Sequence, residues 1–203
     1  MSLTSDPIAP LSRDPCVSGN VSAWSFPIDG PLLLKLRRFS DHRGYIIETY
    51  SGPDFAAVGV HDVFVQDNQS LSARAGTLRG MHFQLPPRAQ AKLVRVLQGA
   101  ILDVVVDIRR ASPSFGQYLA YRMSSHGGEQ FYVPAGFAHG FVTLEPDTIV
   151  AYKVSDVYAP DLDRGLAWDD PDLALPWPDL PGGFVLSEKD RRHPRLRDLP
   201  DAF

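Results

Sequence analysis

Cysteine is almost missing from this chain, with one residue, Cys16, in 203. No intramolecular disulfide can form, and a thiol-poor composition of this kind fits a reducing compartment. A strong charge imbalance is missing too. Twenty basic against twenty-four acidic residues leave a formal charge of -4, which excludes a generic affinity for nucleic acid or an anionic membrane surface and makes any important cation a local one. No apolar run approaches the length of a membrane span, and the N-terminus lacks the basic-then-apolar order of a signal peptide. A cytoplasmic location is therefore expected. Internal repeats and low-complexity stretches are absent, and helical periodicity is confined early in the chain to Pro53–Val58.

What is present is an abundance of short apolar segments. At 44% hydrophobic residues the chain can bury one sizeable core without a disulfide or metal. Residues 1–24 mix Ser, Pro, Asp and Gly without periodicity and read as a flexible leader; residues 25–203 read as one domain. Strands are expected at Pro31–Arg38, Tyr45–Tyr50, Val63–Gln69, Thr77–Gln84, Lys92–Leu97, Ile101–Ile108, Gln117–Met123, Gln130–Val133, Gly140–Leu144 and Thr148–Val154. Each is rich in Val, Ile, Leu, Phe or Tyr and bounded by Gly, Pro, Asp or Asn. So many strands with so little helix predict an all-β fold, an antiparallel β-barrel or jelly roll. After Tyr158 the composition turns to Pro, Asp and Trp, and about 156–203 reads as a short irregular C-terminal cap over one end of the barrel.

Four groups of residues carry candidate chemistry. The first is Leu78-Arg79-Gly80-Met81-His82-Phe83-Gln84, followed by Lys92. A double-sheet barrel of this size is similar to the cupins, whose metal site uses a His-x-His pair with a later acid and histidine. Here the positions read His82-x-Gln84, with Lys92 where the acid would stand. Gln is a poor ligand for transition metals and a cation repels them, so no metal is expected and the pocket reads as one for proton transfer and anions. Arg79 and His82 are three apart and would point to opposite faces of a regular strand. If both face one cavity the strand must bulge, and Gly80 is the place for it.

The second group is Tyr132-Val133-Pro134-Ala135-Gly136-Phe137-Ala138-His139-Gly140-Phe141. A lone strand histidine is more often a hydrogen-bonded structural residue than a catalyst. Asp103, however, lies in an apolar strand with Val105 on its face, and an ionised carboxylate there needs a partner such as a histidine. The third is Tyr152-Lys153 with Tyr158; strand aromatics are usually core, but Tyr152 is a phenol able to give a proton. The fourth is Asp190, which between Lys189 and Arg191 reads in isolation as a solvated surface acid.

Taken together, these segments resemble the dTDP-4-dehydrorhamnose 3,5-epimerase family. The resemblance runs from about Phe39 to Asp190 and rests on Asp41-His42-Arg43-Gly44 with Glu48, Phe64-Val65-Gln66-Asp67-Asn68, the segment from Leu78 to Gln84, and Gln90-x-Lys92-Leu93-Val94-Arg95-Val96. It continues through Asp103-x-x-x-Asp107-x-Arg109, Pro134-x-Gly136-Phe137-Ala138-His139-Gly140-Phe141, Tyr152-Lys153 and Leu186-Ser187-x-Lys189-Asp190. It implies a cupin-like barrel and a metal-independent, cofactor-free isomerase. The implied reaction takes dTDP-4-dehydro-6-deoxy-D-glucose to dTDP-4-dehydro-L-rhamnose by moving protons at C3 and C5 beside the C4 ketone. It implies His82 as base, held by Asp190, and Tyr152 as acid on the opposite ring face, with Lys92 and Arg79 facing the enolate oxygen. Gln66, Asp67, Asn68, His139 and Lys189 would line the substrate site, and Tyr158 would stack on thymine. Arg43 and Glu48 would come from the partner in a homodimer. Asp163 stands where the family has Glu. Two alternatives share these residues or this barrel: a mono-epimerase, or an epimerase of another 4-keto nucleotide sugar, and, in a different class, a metal-dependent cupin. A non-catalytic sugar-binding module is the third.

Overall fold

A computed structural model describes residues 11–200 and Phe203, with Arg13 excepted. It contains fourteen strands and one α-helix among the described residues. In chain order these are β1 (Cys16–Ser18), β2 (Val21–Ser25), β3 (Leu32–Leu36), β4 (Arg38–Asp41), β5 (Gly44–Ile47) and α1 (Gly52–Ala57). Then follow β6 (Gln66–Ser72), β7 (Leu78–Gln84), β8 (Lys92–Gln98), β9 (Ala100–Asp107), β10 (Tyr118–Ser124), β11 (Glu129–Val133), β12 (Phe137–Thr143), β13 (Thr148–Val154) and β14 (Asp163–Gly165). Seven strands form one antiparallel sheet in the order β1-β2-β3-β11-β8-β13-β6, five form a second in the order β10-β9-β12-β7-β14, and β4-β5 is a separate hairpin. The all-β expectation holds.

The alternation of side chains along each strand sorts the apolar residues into layers. Leu33, Val94, Phe131 and Val150 from the larger sheet meet Ile101, Val105, Leu119, Met123, Phe137 and Phe141 from the smaller one, filling the space between them. The opposite face of the smaller sheet carries Leu78, Met81, Phe83, Leu102, Val104 and Val142, which pack under Leu166, Leu173, Trp168 and Leu199 of the C-terminal segment. β9 is accordingly buried along its whole length, as a strand covered on both faces must be. On the outside of the larger sheet, Phe55 and Val58 at α1 pack on Leu34, Leu93 and Tyr132. No helix among the described residues is long and apolar enough to cross a membrane.

Three expectations change. The leader expected over residues 1–24 lies partly outside the described residues, at 1–10 and Arg13, but its last stretch is sheet: β1 pairs with β2, and β2 with β3. Val21 and Ala23 alternate into the core there, a pattern too short to stand out against the Ser and Gly around it. The C-terminal segment does not sit over a barrel end; it lies along the outer face of the smaller sheet, because that face is apolar and otherwise bare. It also adds one short strand, β14, to β7. Finally, Arg38–Asp41, of which only Arg38 falls within an expected strand, forms a strand of its own and pairs with β5 as an independent hairpin.

The bulge expected at Gly80 is present. His139 and Phe141 are two apart on β12, while their partners His82 and Arg79 are three apart on β7. One additional residue on β7 thus turns both Arg79 and His82 the same way. Gly80 has a φ of +149°, and a Cβ there would lie 2.5 Å from the Cα of Gly140 on the neighbouring strand. Neither the conformation nor the space admits a side chain. Gly80→Ala should destabilise the protein by on the order of 2 kcal/mol or more. A denaturant midpoint equal to that of the parent would refute this reading of the bulge.

Candidate active site

Between the sheets, at the end where β7 faces β6, β8 and β13, lies a cleft of about 380 Å³ lined by Gln66, Asn68, His82, Gln84, Gln90, Lys92, Tyr152, Tyr158, Asp163 and Lys189, with Phe83. The larger sheet supplies Tyr152 from β13, and its cross-strand neighbour Asn68 from β6. The smaller sheet supplies His82 from β7. Imidazole and phenol therefore enter one cavity from opposite walls. The strand period puts Gln66 and Asn68 on one face of β6 and Asp67 on the other. Asp67 accordingly lies outside the cleft, in an adjoining groove of about 560 Å³ shared at Asn68 and Tyr152, and its carboxylate takes the Lys153 ammonium at 2.9 Å.

His82 is fixed from the C-terminal segment. Its Nε2 lies 2.6 Å from Oδ1 of Asp190, and Asp190 is itself buried, with its backbone N–H donated to the Ser187 hydroxyl at 3.1 Å. Burial alone would raise the Asp190 carboxyl, but the flanking imidazoles of His193 and His82, with Ser187, hold it well below the usual carboxylate range. Asp190 is thus an anion at neutral pH, Nε2 of His82 carries the shared proton, and Nδ1 is left with its lone pair. Burial pushes the His82 imidazole below its ordinary range; Lys92 adds to the push and Asp190 opposes it. The ring is neutral at pH 7 and can accept a proton.

The Lys92 ammonium donates to the backbone carbonyl of His82 at 3.1 Å. Burial pulls it down to about 8 against the attraction of Asp163 and Asp103, which leaves it mostly charged at neutrality and sensitive to mild alkali. Burial raises the Tyr152 phenol, with Asp163 adding to the rise and Arg79 countering it, so the phenol keeps its proton. Arg79 donates from Nε to the Ser72 hydroxyl and from Nη2 to the Leu71 carbonyl, both at 3.3 Å. A neutral imidazole, a protonated phenol and an ammonium around one cavity are equipped to take a proton from one side of a carbon, return one to the other, and stabilise an oxyanion in between.

At the mouth of the cleft, Asp163 accepts from the Tyr158 hydroxyl at 2.9 Å and pairs with Lys189. The short side chain at 163 thus reaches both. Gln84 acts as a brace: its amide donates to the Val157 carbonyl at 3.1 Å and accepts from the Ala159 N–H at 2.9 Å, fixing the loop that carries Tyr158. That role was not read from the sequence, where Gln84 stood out only as a poor metal ligand. His139 lies beside the cleft rather than in it. Its Nε2 sits 2.8 and 3.0 Å from the two oxygens of Asp103, so the buried carboxylate of β9 has the histidine partner its surroundings call for. His193, close to Asp190, was also missed, since it stands in a segment without periodicity.

Arg43 and Glu48 are not brought to the cleft of their own chain. Arg43 is exposed on the turn between β4 and β5 and is held by Asp41 through a short ion pair of 2.6 Å; Glu48 is exposed just beyond β5. The same hairpin presents Phe39, Tyr45 and Ile46 to solvent.

The family model for dTDP-4-dehydrorhamnose 3,5-epimerase matches residues 25–198. A dTDP-4-dehydrorhamnose 3,5-epimerase of Sinorhizobium fredii is 50% identical over 172 residues, covering 84% of this chain and 87% of the relative. Among solved structures, the enzyme of that name from Bacillus anthracis, with TDP and PPi bound, superposes with a TM-score of 0.83 at 47% identity, covering 86% of this chain and 99% of the other. A dTDP-6-deoxy-D-glucose-3,5-epimerase from Legionella pneumophila, in complex with dTDP-4-keto-L-rhamnose, gives 0.84 at 38% identity, covering 89% and 95%.

Proposed function

From the premise that the chain belongs to the dTDP-4-dehydrorhamnose 3,5-epimerase family, we propose that its epimerisation is run by His82 as base and Tyr152 as acid, working from opposite walls of one cleft. The enzyme is an isomerase that converts dTDP-4-dehydro-6-deoxy-D-glucose to dTDP-4-dehydro-L-rhamnose. The observation that carries the assignment of roles is the 2.6 Å contact of His82 with a buried, ionised Asp190, made while Tyr152 enters the same cavity from the other sheet.

A C–H beside a ketone is acidic only because the carbanion's charge moves onto oxygen, so the site must hold an enolate. Nδ1 of His82 removes the proton, and the charge left on the imidazole is balanced by Asp190, which also keeps the ring in the tautomer with that nitrogen free. Lys92 on β8, and Arg79 on the bulged strand that carries His82, face the developing oxyanion. Tyr152 returns a proton to the opposite face, which inverts the centre. Once the imidazolium has released its proton to water and the phenolate has regained one, repetition at the second carbon flanking the ketone, after the ring has turned, completes the double epimerisation. No electron changes hands overall, so the reaction itself calls for no nicotinamide.

The nucleotide is held at the mouth of the cleft. Tyr158, fixed by Asp163 and by a bond of its own N–H to Gln66 at 3.1 Å, offers a ring for thymine to stack on, and Lys189 offers charge to the pyrophosphate. We assign Arg43 and Glu48 to the site of a second copy in a homodimer. In support, both are exposed in their own chain, and the hairpin presents Phe39, Tyr45 and Ile46 to solvent beside them. A cytoplasmic enzyme fits the single, exposed Cys16 and a substrate made from intracellular nucleotide.

In heavy water the keto sugar nucleotide should take up deuterium at both carbons flanking the ketone. His82→Asn or Tyr152→Phe should slow that uptake by about a hundredfold or more with the fold retained, as expected for removal of a positioned proton carrier. Parental rates in either variant would remove that residue from its role, and label at one carbon only would make the enzyme a mono-epimerase. Mixing inactive Arg43→Ala chains with inactive His82→Asn chains should restore activity, because a mixed dimer holds one site free of both changes. No recovery on mixing would place Arg43 in its own chain's site.

A further inference from the structure

Asp190 is flanked by two imidazoles, only one of which the reaction uses. The second, His193, follows one turn later in the 3₁₀ segment Asp190–Arg192 and its exit. Its ring lies flat on Gly165 of β14, where a Cβ would stand 2.3 Å from Nε2, so the absence of a side chain at 165 is what lets the ring in. Gly165 is in turn the cross-strand partner of His82, and the two histidine rings meet edge to face at 5.5 Å and 82°. The His193 side chain is 9% exposed. Its Nε2 is shut from solvent, makes no hydrogen bond, and points toward Asp190 Oδ1 from 3.5 Å.

A buried imidazole nitrogen whose polar neighbour stands as far off as 3.5 Å is under-satisfied, and this one completes a set. Nε2 of His82, Oδ1 of Asp190 and Nε2 of His193 all lie within 4.8 Å of one another. In a tetrahedral zinc site, with bonds of about 2.0–2.2 Å, such atoms stand roughly 3.3 Å apart. The His193 to Asp190 separation is already close to that, and the His82 to Asp190 pair needs to open by less than about 1 Å. Imidazoles and a carboxylate are the donor types that borderline ions such as Zn²⁺ prefer. Lys92 opposes a dication from the cleft side of His82, while the Asp190 anion lies on the side where the ion would sit.

We propose that His82, Asp190 and His193 form an inhibitory site for a divalent transition ion of the zinc type. The ion takes the place of the proton that Nε2 of His82 shares with Asp190. Where the carboxylate made the imidazole a better base, a dication on the same ring withdraws electron density and makes Nδ1 a worse one. The site therefore switches proton abstraction off without covering the cleft. The inhibition half rests on His82 being the base; the binding half does not.

The full-length protein, stripped with EDTA and carrying Cys16→Ser to remove the exposed thiol, is titrated with Zn²⁺ against a chromogenic chelator, and with Co²⁺ for its visible spectrum. One Zn²⁺ per chain and the intense bands of four-coordinate Co²⁺ are expected. His193→Asn and His193→Gln, two variants that pack differently on Gly165, should each weaken binding by about tenfold or more. Parental affinity in both variants, or no stoichiometric binding to the parent, overturns the site. In the same samples Zn²⁺ should slow deuterium uptake by the keto sugar by about tenfold or more, with EDTA restoring it. Stoichiometric binding that depends on His193 but leaves uptake unchanged would overturn the switch and point to a base other than His82.

Discussion

The contact between His82 and Asp190 joins residues 108 positions apart, and most of the site's chemistry depends on it. The histidine belongs to the barrel and the aspartate to an irregular segment that has no reason of its own to lie where it does. What places that segment is apolar burial. Leu166, Leu173, Trp168 and Leu199 cover the outer face of the smaller sheet, and β14 pairs with β7 as far as His82 itself. The His82–Asp190 pair is therefore a readout of tail docking, and the imidazole is oriented only in a chain whose C-terminal segment has packed.

A second constraint is the number of charges the barrel interior tolerates. Asp103 and Asp107 are fully buried on β9. The first is held by His139, the second by Arg109, Ser112 and Ser114, and these hydrogen bonds, set against burial, bring the Asp107 carboxyl down to about 2. Removing one partner from such an arrangement leaves an uncompensated buried charge, which costs more than the pair contributes. The interior thus sustains two buried carboxylates, each with its own partners, while the rest of the core stays apolar. Lys92 is the exception, a buried cation whose nearest carboxylates act at a distance. Its basicity is depressed accordingly.

The barrel was legible because strands with one face inward repeat with period two; nine of the ten strand segments read that way found their places in the two sheets, and the tenth, Tyr45–Tyr50, falls in the β4-β5 hairpin. The bulge at Gly80 was legible by a different route: two functional side chains three apart cannot share a strand face unless an additional residue intervenes. The pairing of Asp103 with a histidine followed from its apolar neighbours. The course of the C-terminal segment was not legible, because Pro, Asp and Trp in irregular order specify no periodic face; its path is set by the bare side of a sheet assembled far upstream. Asp190 showed itself only through family resemblance, and His193 through nothing in the sequence, since its meaning lies in its seat on Gly165. The strands at Cys16–Ser18 and Val21–Ser25 were lost for the opposite reason, being too short to announce themselves within a Ser- and Gly-rich stretch.

If Asp190 acts through His82 and in no other way, the two residues form one functional unit, and units of this kind are not additive. The direct test is a double-mutant cycle on the deuterium uptake rate, comparing His82→Asn, Asp190→Asn and the variant carrying both. With the histidine already gone, loss of the aspartate should change the rate little, so that the double variant matches His82→Asn. A double variant slowed by the product of the two single effects would mean that the carboxylate works independently of the imidazole.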